Sequence, residues 1–156
     1  MQQSNSPMQQ TIYIDDIQPR ERIVEGIDVF EIEWFETQKH LFHRLTTNGV
    51  ELHLLKEDRD WQHGDALYCQ GELIAQLVVK PTLAILFKSD KGHEVADFSF
   101  YIGNRHLPVF IEGDNTFLVP YDGNLYEQLV GKFTNNIVLE KRQLLTQHLL
   151  KKKYSK

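Results

Sequence analysis

From about Ala75 onward the chain presents a fixed order of apolar patterns. A strand-like run comes first, then a helical pattern, two short apolar runs joined by a glycine turn, a second helical pattern and a last apolar run. Strand, helix, strand, strand, helix, strand is the βαββαβ order of the ferredoxin-like fold, in which two helices cover one face of an antiparallel sheet. The markers within that order are specific. Leu73 to Phe87 is apolar but broken at Lys80–Pro81, and a proline that cannot donate to a ladder marks an edge, a bulge or a domain joint. Ser89 or Asp90 can cap a helix that carries Val95, Phe98 and Ile102 on one side and ends at Gly103. Leu107 to Ile111 reads as a strand, Gly113-Asp114-Asn115 as a hairpin turn and Thr116 to Val119 as the returning strand. Asp122 can cap a second helix with Leu125, Leu129 and Phe133 inward, followed by a strand at Ile137–Leu139. Leu144, Leu145, His148 and Leu149 suggest an extra amphipathic turn or helix.

The first half has a different texture. Phe30, Ile32 and Trp34 alternate with Val29, Glu31 and Glu33, and Leu52 and Leu54 alternate with Glu51 and His53. Turn signals stand at Thr47-Asn48-Gly49, at Trp61 to Asp65 and at Gln70-Gly71-Glu72. Short strands at this spacing, with no helical pattern between them, predict a small all-β domain. The expected organisation is therefore a polar disordered tail over 1–10, a β domain over 11–75, a ferredoxin-like domain over 76–150 and a basic tail over 151–156. The fold class is α+β.

Composition removes several function classes. The formal net charge is -5, which opposes nucleic-acid binding, since neutralising phosphates needs a basic face. The single cysteine, Cys69, permits no internal disulfide and no CxxC metal or redox pair, and its alternating surroundings predict a buried strand thiol. MQQSNSPMQQ has no apolar core of a signal peptide, and no later stretch is long and apolar enough to span a bilayer. A cytoplasmic location is expected. The GxSxG, GK[ST] and GxGxxG patterns are absent, and nothing argues for an enzyme.

Histidine is the remaining chemistry. His40 and His43 fall on opposite faces of a strand, His53 and His63 read as outward strand and turn positions, and His93 sits in a helical first turn. None has HxH or HxxxH spacing. His106 differs in its setting, since it leaves a helix ending at Gly103 and enters a strand, beside Asn104 and Arg105. A lone histidine is more often structural than functional, and residue physics leaves it there.

A family resemblance takes it further. Gly103-Asn104-Arg105-His106, followed by Leu107-Pro108, resembles the GNRHxP motif of the UreE urease accessory proteins. The likeness continues to Val119-Pro120-Tyr121-Asp122. It also covers His43-Arg44-Leu45-Thr46, Gly49-Val50-Glu51-Leu52 and His63-Gly64-Asp65-Ala66-Leu67, similar to that family's RxRLxT, GxE and DGDxL stretches. The resemblance implies a nickel metallochaperone with a peptide-binding β domain and a ferredoxin-like metal domain. It implies a homodimer in which His106 of each subunit, the primary ligand, meets at a shared face. Its cargo would be Ni2+, with Zn2+ or Cu2+ able to substitute in vitro. Its partners would be the accessory GTPase and the apo-urease complex, with no nucleic acid and no membrane. A two-fold axis would turn one imidazole per chain into two per site, and neutral nitrogen ligands suit a carrier that must release Ni2+.

The chain departs from that family at two places. Where many relatives carry an HxH-like pair, it reads Tyr121-Asp122-Gly123, so Asp122 is either an auxiliary oxygen ligand or a helix cap. Where many end in a histidine-rich tail, it has only His148, either a C-terminal ligand or an ordinary amphipathic position. Both imply fewer metals per dimer. These departures also support a rival reading, a metal-independent interaction module of the urease maturation complex. A ferredoxin-like RNA binder, using Phe98, Phe100 and Tyr101, and a zinc enzyme are weaker alternatives.

Overall fold

The computed structural model describes residues 10–150. Apart from Gln10, the polar and basic tails expected at 1–10 and 151–156 lie outside the described residues. The chain divides into two units at Lys80–Pro81, the place where proline interrupts the long apolar run.

The first unit is built of strands. They are β1 (Ile12–Tyr13), β2 (Asp16–Gln18), β3 (Asp28–Ile32), β4 (Leu41–Leu45), β5 (Glu51–Leu55), β6 (Ala66–Cys69) and β7 (Glu72–Val79). They form a three-stranded sheet in the order β1-β5-β4 and a four-stranded sheet in the order β2-β6-β7-β3. Alternation decides which side chains go inside: Phe30 and Ile32 of β3, Phe42 of β4 and Leu52 and Leu54 of β5 are all buried. Phe42 packs edge-on against both Phe30 and Trp61. Residues 76–79, expected in the second domain, belong to β7 and pair in parallel with β3. Trp34 does not continue the β3 alternation. The strand ends at Ile32, and Trp34 opens a short 3-10 helix, Trp34–Glu36. Cys69 is half-buried at the end of β6.

One close approach fixes the turn between Trp61 and Asp65. Gly64 has φ +96°, and a Cβ there would stand 2.1 Å from the Arg20 carbonyl oxygen. Asp65 beside it is fully buried. Its carboxylate accepts from Lys56 Nζ (3.0 Å), Arg59 Nη2 (3.1 Å) and the Gln62 backbone N–H (2.9 Å). A buried carboxylate is tolerated only with such partners.

The second unit runs β8 (Thr82–Lys88), α1 (Gly92–Gly103), β9 (Phe110–Glu112), β10 (Thr116–Pro120), α2 (Gly123–Lys132) and β11 (Ile137–Arg142). The sheet order is β11-β8-β10-β9, antiparallel throughout. Ile85 and Phe87 of β8 and Phe117 and Val119 of β10 meet Phe98 and Ile102 of α1 and Leu125, Leu129 and Phe133 from α2 and its end. Phe87 and Phe98 stack with centroids 4.1 Å apart. The sheet thus has the βαββαβ order read from the sequence. Two details differ. The α1 cap position is Lys91, whose N–H is held by Ser89 Oγ at 3.0 Å. The strand expected at Leu107 begins only at Phe110. Of the turn or helix expected at the C-terminal amphipathic stretch, a single 3-10 turn forms, Thr146–His148, with Leu144 buried beside it.

Candidate metal centre

The end of α1 tightens before it releases the chain. Asn104 N–H bonds to the Phe100 carbonyl (3.1 Å), Arg105 N–H to Ile102 (3.0 Å) and His106 N–H to Gly103 (3.3 Å). His106 then takes φ 58°, the left-handed conformation that usually ends a helix on glycine. It therefore does not start a strand: it closes a turn, and Leu107–Val109 lead irregularly into β9. A non-glycine residue held there is uncommon, and such positions cluster at functional sites.

The anchors lie on both sides. Ile102 is buried four residues before His106, and Val109 three residues after it. Between them His106 is exposed. Arg105 folds back along α1: its guanidinium lies 4.5 Å from the Tyr101 ring centre and donates to the Tyr101 hydroxyl at 2.7 Å. That hydroxyl donates in turn to Gln128 Oε1 of α2 at 2.9 Å. Arg105, the residue before the histidine, is thereby fixed by packing and hydrogen bonds, which steadies the turn that presents the imidazole.

Asp122 caps α2. Its Oδ1 accepts from the Leu125 backbone N–H at 2.9 Å. His148 is half-buried at the end of the last 3-10 turn. The next two residues run antiparallel to the start of β9: Leu149 bridges to Phe110, and Leu150 N–H bonds to the Val109 carbonyl at 2.7 Å. His106 and His148 thus lie on segments that meet at one sheet edge, while Asp122 is occupied as a cap. Among the described residues no group of three His, Cys, Asp or Glu side chains is placed to hold a metal ion.

Comparison with known proteins places the chain among its relatives. The urease accessory protein UreE of Acetivibrio thermocellus is 30% identical over 105 residues, covering 67% of this chain and 68% of the relative. The chain belongs to the UreE family. The UreE of Flavobacterium johnsoniae is 33% identical over 105 residues, 66% of this chain and 63% of that protein. The UreE of Actinobacillus pleuropneumoniae is 30% identical over 107 residues, 67% of this chain and 57% of the relative. The chain thus spans about three fifths to two thirds of the length of these UreE proteins. No family model matches it.

The other histidines are placed differently from one another in this UreE protein. The structure corrects the outward reading of His63: it is half-buried, its Nδ1 accepts from the Val79 N–H at 3.1 Å, and burial lowers its pKa. His40 Nδ1 lies 3.2 Å from the Lys56 carbonyl. His43 and His53, assigned no role by the sequence, stand directly opposite each other on β4 and β5. The signal for that pair is a strand register, which sequence spacing does not display. No helix among the described residues is long and apolar enough to cross a membrane.

Proposed function

We propose that this chain is a cytoplasmic nickel carrier of the urease maturation system, delivering Ni2+ to apo-urease and catalysing no reaction of its own. The supporting observation is the exposed His106, presented on an anchored left-handed turn in the Gly103-Asn104-Arg105-His106 motif of a UreE chain. His106 is the primary ligand. A homodimer supplies the second imidazole across its two-fold axis, and Ni2+ accepts such nitrogen donors. His148, at the edge of the same sheet, is a supplementary ligand candidate, and Asp122 remains chiefly a cap. The first unit serves as the peptide-binding part and the second as the metal domain, with the accessory GTPase and apo-urease as partners.

Exposure suits transfer. A metal held by a few solvent-facing nitrogens exchanges by ligand replacement, whereas a buried or thiolate-rich site would retain it. Calorimetric titration of Ni2+ into His43→Gln protein with and without His106→Ala tests the site, with tight binding expected only where His106 is kept. Sedimentation tests the sharing. A monomer that binds nickel tightly would overturn the two-fold arrangement.

A further inference from the structure

The outer face of the three-stranded sheet carries a row of rings. β1 pairs with β5 through Tyr13↔His53, and β5 pairs with β4 through His53↔His43. Tyr13, His53 and His43 therefore lie side by side across three strands. The Tyr13 and His53 ring centres are 4.7 Å apart, and those of His53 and His43 are 5.9 Å apart.

The ladder places the two imidazoles close together. Thr46 N–H bonds to the Val50 carbonyl and Lys56 N–H to the His40 carbonyl. These bonds fix the hydrogen-bonded positions at one parity, so His43 and His53 form a non-hydrogen-bonded pair. In such a pair the Cα atoms are about 4.5 Å apart and the side chains are at their closest. Both rings stand on the face that also exposes Leu41, Leu45 and Leu55.

A carboxylate stands behind one ring. His43 Nε2 is 2.8 Å from Glu51 Oε2. An ionised carboxylate only accepts, so Nε2 donates in this contact, and Nδ1 is the nitrogen that a metal would take. A carboxylate behind an imidazole orients the ring, as it does for histidines that ligate metals.

We infer that His43 and His53 form a second, two-nitrogen site for a divalent transition metal on the β unit, with Glu51 orienting His43 and water completing the coordination. The site is independent of His106 and lies within one chain. Cu2+ should bind most strongly, followed by Ni2+ and Zn2+, because imidazole donors follow that order of affinity.

The test uses full-length protein carrying His106→Ala and His148→Ala, titrated with Cu2+ and followed by calorimetry and electron paramagnetic resonance. One Cu2+ per chain is expected, with hyperfine structure from two imidazole nitrogens. His43→Gln and His53→Gln, added singly, should each abolish it, and Glu51→Gln should weaken it about tenfold. Both histidines are at least partly exposed, so the single variants should fold, and circular dichroism checks this. Absence of the Cu2+ site, a one-nitrogen signal, or binding that survives either histidine substitution overturns the inference. None of these results depends on whether His106 binds nickel.

Discussion

Replacing His106 by glycine and by alanine separates the backbone role of this position from its chemical role. Both variants lack the imidazole, so the difference between them cancels every contact the ring makes. What remains is the left-handed turn at φ 58°. An alanine there pays roughly 1–2 kcal/mol for the contact between Cβ and the following carbonyl. Glycine avoids that cost but gives up about 0.4–1 kcal/mol through the greater freedom of its unfolded chain. The balance favours His106→Gly over His106→Ala by about 0–1.6 kcal/mol, roughly 0.8 kcal/mol at the centre, or about 2 °C in Tm for a chain of this size. Guanidinium denaturation and thermal melts in the presence of a chelator measure the difference without metal linkage. Nickel titration of the same two proteins should show affinity reduced more than about 100-fold in both, since a ligand matters at least as much as its supporting shell. An alanine variant more stable than the glycine one would refute the claim that this turn is strained. Retained tight nickel binding in the better-folded glycine variant, with His43→Gln added to remove the strand site, would refute the ligand role, because neither misfolding nor the second site could then be blamed.

Other outcomes follow from the same geometry. Asp122→Asn keeps an N-cap acceptor and should leave both stability and nickel affinity near wild type, whereas Asp122→Ala should cost about 1 kcal/mol in a denaturant melt. Gly64→Ala drives a methyl into the Arg20 carbonyl at positive φ and should destabilise the first unit by about 2–5 kcal/mol, read from its unfolding midpoint. Asp65→Asn leaves Lys56, only 5% exposed in its side chain, without its counter-charge, and should cost about 3–5 kcal/mol. The Arg44 hydrogen bond holds the Glu36 carboxyl down to about 2 from an ordinary 4.5. A depressed carboxylate stabilises fully above its unfolded pKa, so this contribution should be present above pH 4.5 and fade towards pH 2. Arg44→Gln should flatten that part of the stability–pH curve.

The residues by themselves determined the elements whose signals are local. α1 stops at Gly103, although His106 and not the glycine takes the left-handed conformation; Asp122 caps α2, and Gly113 opens the β9–β10 hairpin. Each depends on a few neighbouring torsions or one short hydrogen bond, so spacing along the chain is sufficient to reveal it. The βαββαβ order was legible for the same reason, and so was the motif that singles out His106. Tertiary structure decided what depends on partners distant in sequence. The Leu73–Phe87 run became two strands in different units because residues 75–79 found β3 as a parallel neighbour, and alternation does not name a neighbour. The left-handed turn at His106 is a local exception, closed by hydrogen bonds three and four residues apart where the apolar run after it had suggested a strand. His63 turned inward to meet the Val79 N–H sixteen residues on. The opposition of His43 and His53 arose from register alone. A strand's period places a side chain on a face, but only pairing decides which side chain from elsewhere will stand beside it.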